Sequence, residues 1–411
     1  MAAVVSSIPK LANLWSTQLR CFHLSAFLSQ LRVLTRPICT YSDYNPLLNQ
    51  ESLPRFKEIQ PAHLAPAIEQ LTKDFENDFI EFERTLKGNF FSENNSTSDR
   101  AWETVVEPLE KIGSQLSYAW GVASHLNGVR NSPELRTSYE KVQPLVVKVA
   151  MKAKQSVPFY DALLVSKVEK DQLTLDEGQQ RIVTAFLRSA RNGGVGLEGK
   201  EEERFNTIQL RLAELGNKFS NNVLDATKSF SMVLTDPEDV AGLPLSLLKL
   251  TAEAAAAADS TASKEESRSY ILIILYCMSG VHRTGFHCTC NLSIFHSRKH
   301  TDPMAGPWKL SLDLPCFEPF MKYSQSRNLR EKMYMAYITR ASHGDTNNSN
   351  IIEEIRQLRR EKADLLSFQN YAYLSLDSKM ADSPSEVWKM IKDLQSKSKT
   401  GAKSELQALQ V

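Results

Sequence analysis

The most informative part of this sequence is the stretch Arg211-Leu-Ala-Glu-Leu-Gly-Asn-Lys-Phe-Ser-Asn-Asn-Val-Leu-Asp-Ala-Thr227. Its apolar residues continue a pattern that begins just before it and alternates between steps of three and four residues. Such spacing places the apolar side chains along one side of a helix. The pattern predicts one long helix lying against a neighbouring helix, with a seam formed by Phe205, Ile208, Leu212, Leu215, Phe219 and Val223.

Helical spacing also dominates the sequence on both sides of this stretch. The predicted buried faces are Leu64, Ile68, Leu71, Phe75, Phe79 and Phe82; then Trp102, Val105, Leu109, Ile112, Leu116 and Trp120; and finally Ile351, Ile355, Leu358 and Leu365. Pro108 is expected to kink the second of these helices. Strand-forming residues are confined to Lys309–Leu314. We therefore predict an all-α fold with at most a short β hairpin.

Two further helices are indicated by their first residues. Ser132-Pro133-Glu134 combines a capping hydroxyl, a proline at the first helical position and an acidic residue near the positive end of the helix dipole. The helix that follows should bury Leu135, Tyr139, Val142, Leu145 and Val149. Ser383-Pro-Ser-Glu386 is a capping box, and it predicts a last helix that carries Val387, Ile391 and Leu394.

The stretch from Arg211 to Thr227 closely resembles a helix of the oligopeptidase A and thimet oligopeptidase family of zinc metallopeptidases. Shorter motifs resemble the same family in the same order, namely Asn45–Leu48, Phe56–His63, Ser124–Asn127, Asn131–Arg136, Met333–Ser342, Phe368–Tyr373 and Lys379–Ala381. Together these resemblances cover residues 44 to 250 and 304 to 411. They imply the amino-terminal, mostly helical half of a zincin-like oligopeptidase, which supplies one wall of a deep channel for short unfolded peptides.

The catalytic motif of that family is missing from the sequence. In the family, a His-Glu-x-x-His helix holds zinc with two imidazoles, and the glutamate between them activates water. The chain has eight histidines, and none is followed by glutamate. The resemblance implies a zinc cofactor in full-length members. This chain itself is expected to stop before the catalytic zinc domain, to hold no cofactor and to be inactive alone.

The sequence predicts four segments. Residues 1–43 are predicted to be an organellar transit peptide, because residues 1–42 contain four basic residues and no acidic one, together with serines and interspersed apolar residues. An unstructured tail without a targeting function is the alternative. Residues 44–263 should form the helical domain and residues 304–411 its continuation. Residues 264–303 between them show no helical pattern, so we interpret them as an irregular insertion.

Composition excludes several classes of protein. A net charge of +1 argues against a nucleic-acid partner. The longest apolar run, Tyr270–Met278, is too short to span a bilayer, which takes about 20 residues. Six cysteines without a Cys-x-x-Cys pair do not suggest a disulfide scaffold. The transit-like segment predicts a mitochondrial location, with a plastid or the cytoplasm as alternatives.

Two sequence patterns resemble a zinc site and a dinucleotide-binding site. Cys288, Cys290, His296 and His300, with His282 and His287 nearby, look like zinc ligands, but the spacing between cysteines and histidines is too short for a zinc finger. Gly194-x-Gly196-x-x-Gly199 matches the dinucleotide-binding pattern, which requires a preceding strand. Here a helical pattern ending at Asn192-Gly193 precedes it, so we interpret the glycines as a loop between helices.

The remaining polar features favour structural roles. His63 and His125 lie in family-like motifs but correspond to no catalytic residue, so we expect them to be structural. The charge run from Glu353 to Lys362 mixes signs at ion-pair spacing and is typical of a solvated helix face. We predict no catalytic, cofactor-binding or metal-ligating residue in this sequence.

Two functions fit the sequence. The first is a zinc-dependent metalloendopeptidase that degrades short peptides, including transit peptides, and of which this chain is an inactive part. The second is a non-catalytic helical scaffold or peptide-binding fragment, which self-associates through apolar surface that would otherwise face the missing half.

Overall fold

The computed structural model describes residues 44–89, 102–168, 175–258 and 302–410. These residues are mostly helical, which confirms the all-α prediction. The helices are α1 (Pro61–Asn89), α2 (Glu107–Val129), α3 (Pro133–Lys154), α4 (Val157–Val168), α5 (Glu177–Asn192), α6 (Gly199–Ser229), α7 (245–258), α8 (Leu314–Tyr323), α9 (Arg327–Ile338), α10 (Ser349–Leu365), α11 (Tyr371–Leu376) and α12 (Pro384–Leu409). Two three-residue strands, β1 (Met232–Leu234) and β2 (Trp308–Leu310), complete the fold.

Helix α1 supplies the centre of the first core. Its predicted apolar face is buried over its whole length, from Leu64 to Phe82. The rings of Phe75 and Phe79 stack at 5.6 Å between centroids, and Phe82 contacts Phe159 of α4. Apolar residues of α2 to α5 close this core around α1. Aromatic stacking adds to the area that these side chains bury.

Helices α2 and α3 each have a proline in the first turn, where a missing N–H costs no helical hydrogen bond. A π-helical turn, Trp102–Val106, leads into α2, and Pro108 lies in the first turn of α2. The predicted continuous helix from Trp102 is thus divided into a π turn and α2 close to Pro108, which cannot donate a hydrogen bond to the carbonyl four residues earlier. As predicted, Ser132 caps α3: its hydroxyl accepts from the amide of Leu135 at 3.2 Å.

Helix α6, which contains the stretch Arg211–Thr227, is the central element of the fold. One side faces α3 and the other packs along α10. Ile208 and Leu215 of α6 are buried together with Ile351 and Leu358 of α10. Leu212 and Phe219 pack against the same cluster. The predicted seam and its neighbouring helix are both confirmed.

A separate core surrounds the two strands. β1 and β2 pair antiparallel with Met232 opposite Leu310. Trp308, Leu310 and Phe320 are buried there with Leu247 of α7 and Met333 of α9. The expected strand at Lys309–Leu314 is shorter than predicted, because α8 already begins at Leu314. The partner strand β1 was not expected, since three residues are too few to show an alternating pattern.

The strand pair brings together segments on both sides of the predicted insertion. β1 precedes residues 264–303 in the chain and β2 follows them. Residues 259–301 of this region lie outside the described residues, as does the predicted transit segment 1–43. Both assignments remain predictions.

The last helix, α12, differs from all the others described. Ser383 caps it as predicted, accepting from the amide of Glu386 at 3.4 Å. None of its residues is buried, and its exposed apolar residues include Trp388, Ile391 and Leu394. Of its predicted apolar face, Val387 is half-buried near α11, whereas Ile391 and Leu394 are exposed. In the described ranges, no helix has both the length and the apolar character needed to cross a membrane.

Candidate functional site

A groove between α3 and α6 is the main candidate site. Its volume is about 840 Å³. The residues that line it are Arg136, Glu140, Gln143, Pro144, Val147 and Lys148 of α3 and Thr207, Leu210, Arg211, Ala213, Glu214, Asn217, Lys218, Asn221, Asn222 and Asp225 of α6. Most of the lining side chains are thus polar, and Pro144, Val147 and Leu210 are the larger apolar ones.

One end of the groove is fixed by a two-pronged ion pair. The guanidinium of Arg136 donates to both carboxylate oxygens of Asp225 at 2.7 and 2.6 Å, and its Nε donates to Asn131. These hydrogen bonds hold the pKa of the Asp225 carboxyl below its ordinary value of 3.8. Paired N–H donors match a carboxylate geometrically, so this contact fixes the register of α3 on α6.

The middle of the groove is bridged by an amide. Gln143 of α3 donates to the carbonyl oxygen of Ala213 on α6 at 3.3 Å. Pro144 follows it inside α3 and has no N–H, so it removes one hydrogen bond from the helix. Further along, Asn221 donates to Glu140 at 3.4 Å. The two helices are therefore held together by polar contacts rather than by a closed apolar interface.

Arg211 closes the side of the groove toward α10. Its Nε and terminal nitrogen donate to the two carboxylate oxygens of Glu354 at 2.6 and 2.9 Å, while another nitrogen lies 2.8 Å from Glu214. These two partners raise the pKa of Arg211, with the hydrogen bonds to Glu354 making the largest contribution. Arg211 is thus fully engaged by its own chain.

Other groups in the groove are open to a ligand. In the part of the chain that the structure describes, Lys148, Asn217 and Lys218 make no side-chain hydrogen bond or ion pair. They lie beside the apolar side chains of Pro144, Val147 and Leu210. An amide, two ammonium groups and these apolar side chains can bind the backbone and side chains of an extended peptide. The lining contains no histidine or cysteine, and nothing in it indicates a hydrolytic step.

The glycine pattern is a loop between helices, as predicted. α5 ends at Asn192, and α6 begins at Gly199. The amide of Gly193 donates to Ser189, and that of Val195 to Ala190. Because these amides are already bonded within the loop, they cannot cradle a phosphate. Gly194 has a φ of +87°, and a Cβ there would meet Leu197 at 2.9 Å, so glycine is required by the turn.

The two histidines make structural contacts. The Nδ1 atom of His63 accepts from the amide of Gln60 at 3.2 Å, at the start of α1. The ring of His125 packs against Phe56 with 5.4 Å between centroids. The cysteine and histidine residues between His282 and His300 lie outside the described residues.

The described residues do not fit a zinc ion. Among them, no group of three or more histidine, cysteine, aspartate or glutamate side chains is arranged to hold a metal. The zinc that the resemblance implies therefore has no ligand set in residues 44–89, 102–168, 175–258 or 302–410.

Comparisons with known proteins agree with the helical architecture. Residues 68–202 match the family described as "Neurolysin/Thimet oligopeptidase, N-terminal domain", and residues 320–411 match "Peptidase family M3". Over 337 residues the chain is 36% identical to the "Probable cytosolic oligopeptidase A" of Arabidopsis thaliana. The chain belongs to the oligopeptidase A family of M3 peptidases.

Other members of the oligopeptidase A family are similar to the same degree. The chain is 36% identical over 339 residues to the "Organellar oligopeptidase A, chloroplastic/mitochondrial" of Arabidopsis thaliana. It is 33% identical over 370 residues to the "Oligopeptidase A" of Haemophilus influenzae. These three alignments cover 82%, 82% and 89% of the chain but 41%, 36% and 46% of the relatives. The chain thus spans less than half the length of the curated relatives it matches.

The groove was not predicted from the sequence, although a signal for it exists. Asn217, Asn221 and Asp225 recur every four residues on α6, on the side away from the Ile208–Leu215 seam. A row of asparagine and aspartate in a helix interior is unfavourable in isolation. Such a row therefore points to polar contacts across a helix pair, here with Glu140 and Arg136 of α3.

Proposed function

We propose that the chain is part of a zinc-dependent metalloendopeptidase that degrades short peptides, including transit peptides. The observation that carries this proposal is the match to two regions of the M3 family in order along one helical chain. The names of the relatives support peptidase activity in the family. The described residues supply no metal ligands, so in this proposal they bind peptide and do not carry out the chemistry.

In this proposal the α3–α6 groove is the peptide-binding surface. Lys148, Asn217 and Lys218 contribute hydrogen-bond donors, and Pro144, Val147 and Leu210 contribute apolar contact. Peptide backbone groups must replace their bonds to water when they bind, and these free side chains offer that replacement. The Arg136–Asp225 pair and the Gln143 bridge keep the groove preformed.

The proposal is tested by peptide binding to the full chain. A fluorescent peptide of about ten residues is titrated into the wild type and into Asn217→Trp, which fills the groove without breaking a described hydrogen bond. Affinity should fall at least about tenfold, which corresponds to about 1.4 kcal/mol. Asn328→Trp, at an exposed site on α9, is the matched control and should bind as the wild type. Equal affinity of all three proteins would reject the groove as the peptide site.

For localisation we propose a mitochondrion, with a plastid or the cytoplasm as alternatives. The transit-like composition of residues 1–43 supports an organelle, and the relatives include both an organellar and a cytosolic oligopeptidase A. Residues 1–45 fused to a fluorescent protein should direct it to an organelle. Replacing Arg20, Arg32 and Arg36 by glutamate should leave the reporter in the cytosol. A cytosolic wild-type fusion would reject the transit function.

The alternative function is a non-catalytic helical scaffold that self-associates. It is favoured by α12, on which Trp388, Ile391 and Leu394 are 60%, 44% and 56% exposed. Unpartnered apolar surface of this kind promotes association. Sedimentation should show a dimer of the wild type and a monomer of the Trp388→Ser/Leu394→Ser variant. A monomeric wild type at all concentrations, or an unchanged dimer in the variant, would exclude association through α12.

A further inference from the structure

The three glutamates of α10 form ion pairs, whereas Asp364 and the carboxyl-terminal cations of this helix form none among the described residues. Glu353 pairs with Arg356 at 2.6 Å on the same helix. Glu354 is taken by Arg211, and Glu361 by Arg204, both on α6. The three glutamates of this helix are therefore engaged, which leaves Arg359 and Lys362 without a carboxylate partner among the described residues.

Lys362 is the least solvated of these cations. It is partly buried, and its ammonium lies 5.5 Å from the centroid of the fully buried Phe205 ring on α6. Burial, together with the charges of Lys154 and Arg359, lowers the pKa of Lys362 to about 8. A desolvated ammonium is costly unless an opposite charge is nearby.

Two more cations face Lys362. Lys154 stands at the carboxyl end of α3, where its Cβ and Cδ lie close to the backbone of Gly193. The Arg359 guanidinium lies over the ring of Tyr371 at 4.9 Å. In the described part of the chain, none of the three side chains donates to an acceptor or pairs with a carboxylate. Lys154 thus lies beside the α5–α6 loop, Lys362 lies over Phe205 just after this loop, and Arg359 is one helical turn from Lys362. Among the described residues, none of the three has a carboxylate counter-ion.

We propose that Lys154, Arg359 and Lys362 form a binding site for a small oxyanion, either a phosphate or a carboxylate group. Two ammonium groups and one guanidinium provide the charge-assisted donors that such groups prefer. The phenyl ring beneath Lys362 keeps water from one side and strengthens the attraction. The site is separate from the α3–α6 groove, and it does not depend on the peptidase proposal.

The test measures how fast the Lys362 amine is acylated by an N-hydroxysuccinimide ester at pH 8, read by peptide mass spectrometry. The full chain is treated with inorganic phosphate, with acetate, or with chloride at equal ionic strength. A bound oxyanion favours the charged amine, so a rise of about one pKa unit should slow acylation of Lys362 about fivefold. Lys332, exposed on α9, is the control amine and should react equally in all three salts.

Two variants complete the test. Arg359→Gln should lose most of the protection of Lys362, whereas Arg327→Gln, at an exposed site on α9, should keep it. Protection by phosphate alone assigns a phosphate ligand, protection by acetate alone assigns a carboxylate, and protection by both shows that the site accepts either oxyanion. Equal acylation of Lys362 in all three salts, or full protection in Arg359→Gln, would overturn the proposal.

Discussion

Arg211 shows how a single residue of α6 connects several elements. It pairs with Glu214 on its own helix and with Glu354 on α10, while it lines the groove toward α3. The sequence predicted a solvated face with ion pairs within α10, and Glu353 with Arg356 forms such a pair. Glu354 and Glu361 are still 39% and 40% exposed, but their ion-pair partners were not predicted. Both carboxylates reach α6 instead, because each lies opposite an arginine there. A charge pattern within one helix cannot reveal a partner on another.

The variant Leu215→Ala tests whether this single side chain is buried in the seam between α6 and α10. Leu215 is 2% exposed and packs between α6 and α10. Removing most of its side chain should lower the free energy of unfolding by about 2–5 kcal/mol, because a cavity remains in the seam. Urea denaturation measures the loss. Leu53→Ala, at a site 88% exposed, is the control and should change stability by less than about 0.5 kcal/mol. A loss of that small size from Leu215→Ala would contradict burial of the seam.

Asp225→Asn tests the ion pair that closes the groove. Because the pKa of Asp225 is lowered in the folded chain, its contribution to stability is present above about pH 4 and lost as the pH falls through the folded pKa. The side chain is 43% exposed, so the variant should lose at most about 1 kcal/mol at pH 7. The difference in the free energy of unfolding between wild type and variant should become smaller below pH 4. Urea curves at pH 7, 5 and 3 measure it, with the exposed Asp382→Asn as control. An equal difference at pH 3 and pH 7 would rule out this linkage.

At the scale of elements, the sequence predicted most of the helices, because long apolar stripes and capping residues act locally. The stripe from Leu64 to Phe82 and the cap at Ser132 both gave the correct helix. Strand β1 was missed because its three residues gain stability from β2, which lies far along the chain. The groove was missed for a related reason. It depends on how α3 and α6 face each other, and that arrangement is fixed by long-range contacts such as Arg136 with Asp225.

Deleting residues 264–301 tests the predicted insertion and keeps Pro303, whose carbonyl oxygen accepts from the indole N–H of Trp308 at 2.8 Å. The core on both sides is already complete among the described residues, with Trp308 and Leu310 packed against Leu247. Replacing the segment with a short glycine-serine linker should leave the melting temperature unchanged or raise it, since loop-closure entropy grows slowly with length. Calorimetry measures the change. Trp308→Ala is the contrast variant, because its side chain is 1% exposed, and it should cost about 3–5 kcal/mol. If the deletion costs as much as Trp308→Ala, the segment belongs to the core.

At the scale of the whole molecule, the apolar cores and the polar surfaces occupy different parts of the described residues. One core surrounds α1, another surrounds the strand pair, and α6 with α10 forms the seam between helices. All three cores are built from apolar side chains. The α3–α6 groove and the cluster of Lys154, Arg359 and Lys362 are polar and lie where these cores meet. α12 takes part in none of the cores. The family, the helical fold and the lack of a zinc motif were readable from the sequence, while the surfaces that could bind ligands were not.

We expect the purified chain to have no peptidase activity of its own. The 411 residues contain no His-Glu-x-x-His motif, and the described residues hold no metal-ligand cluster. Without a metal-bound water there is no nucleophile for a zinc-dependent route near neutral pH. The purified chain should therefore cleave short quenched peptides no faster than a heat-inactivated control, with or without added zinc. A relative carrying the motif, such as the oligopeptidase A of Haemophilus influenzae, serves as the positive control for the assay. Turnover by the chain that exceeds the heat-inactivated control and is abolished by a chelator would show that it holds a metal site of its own.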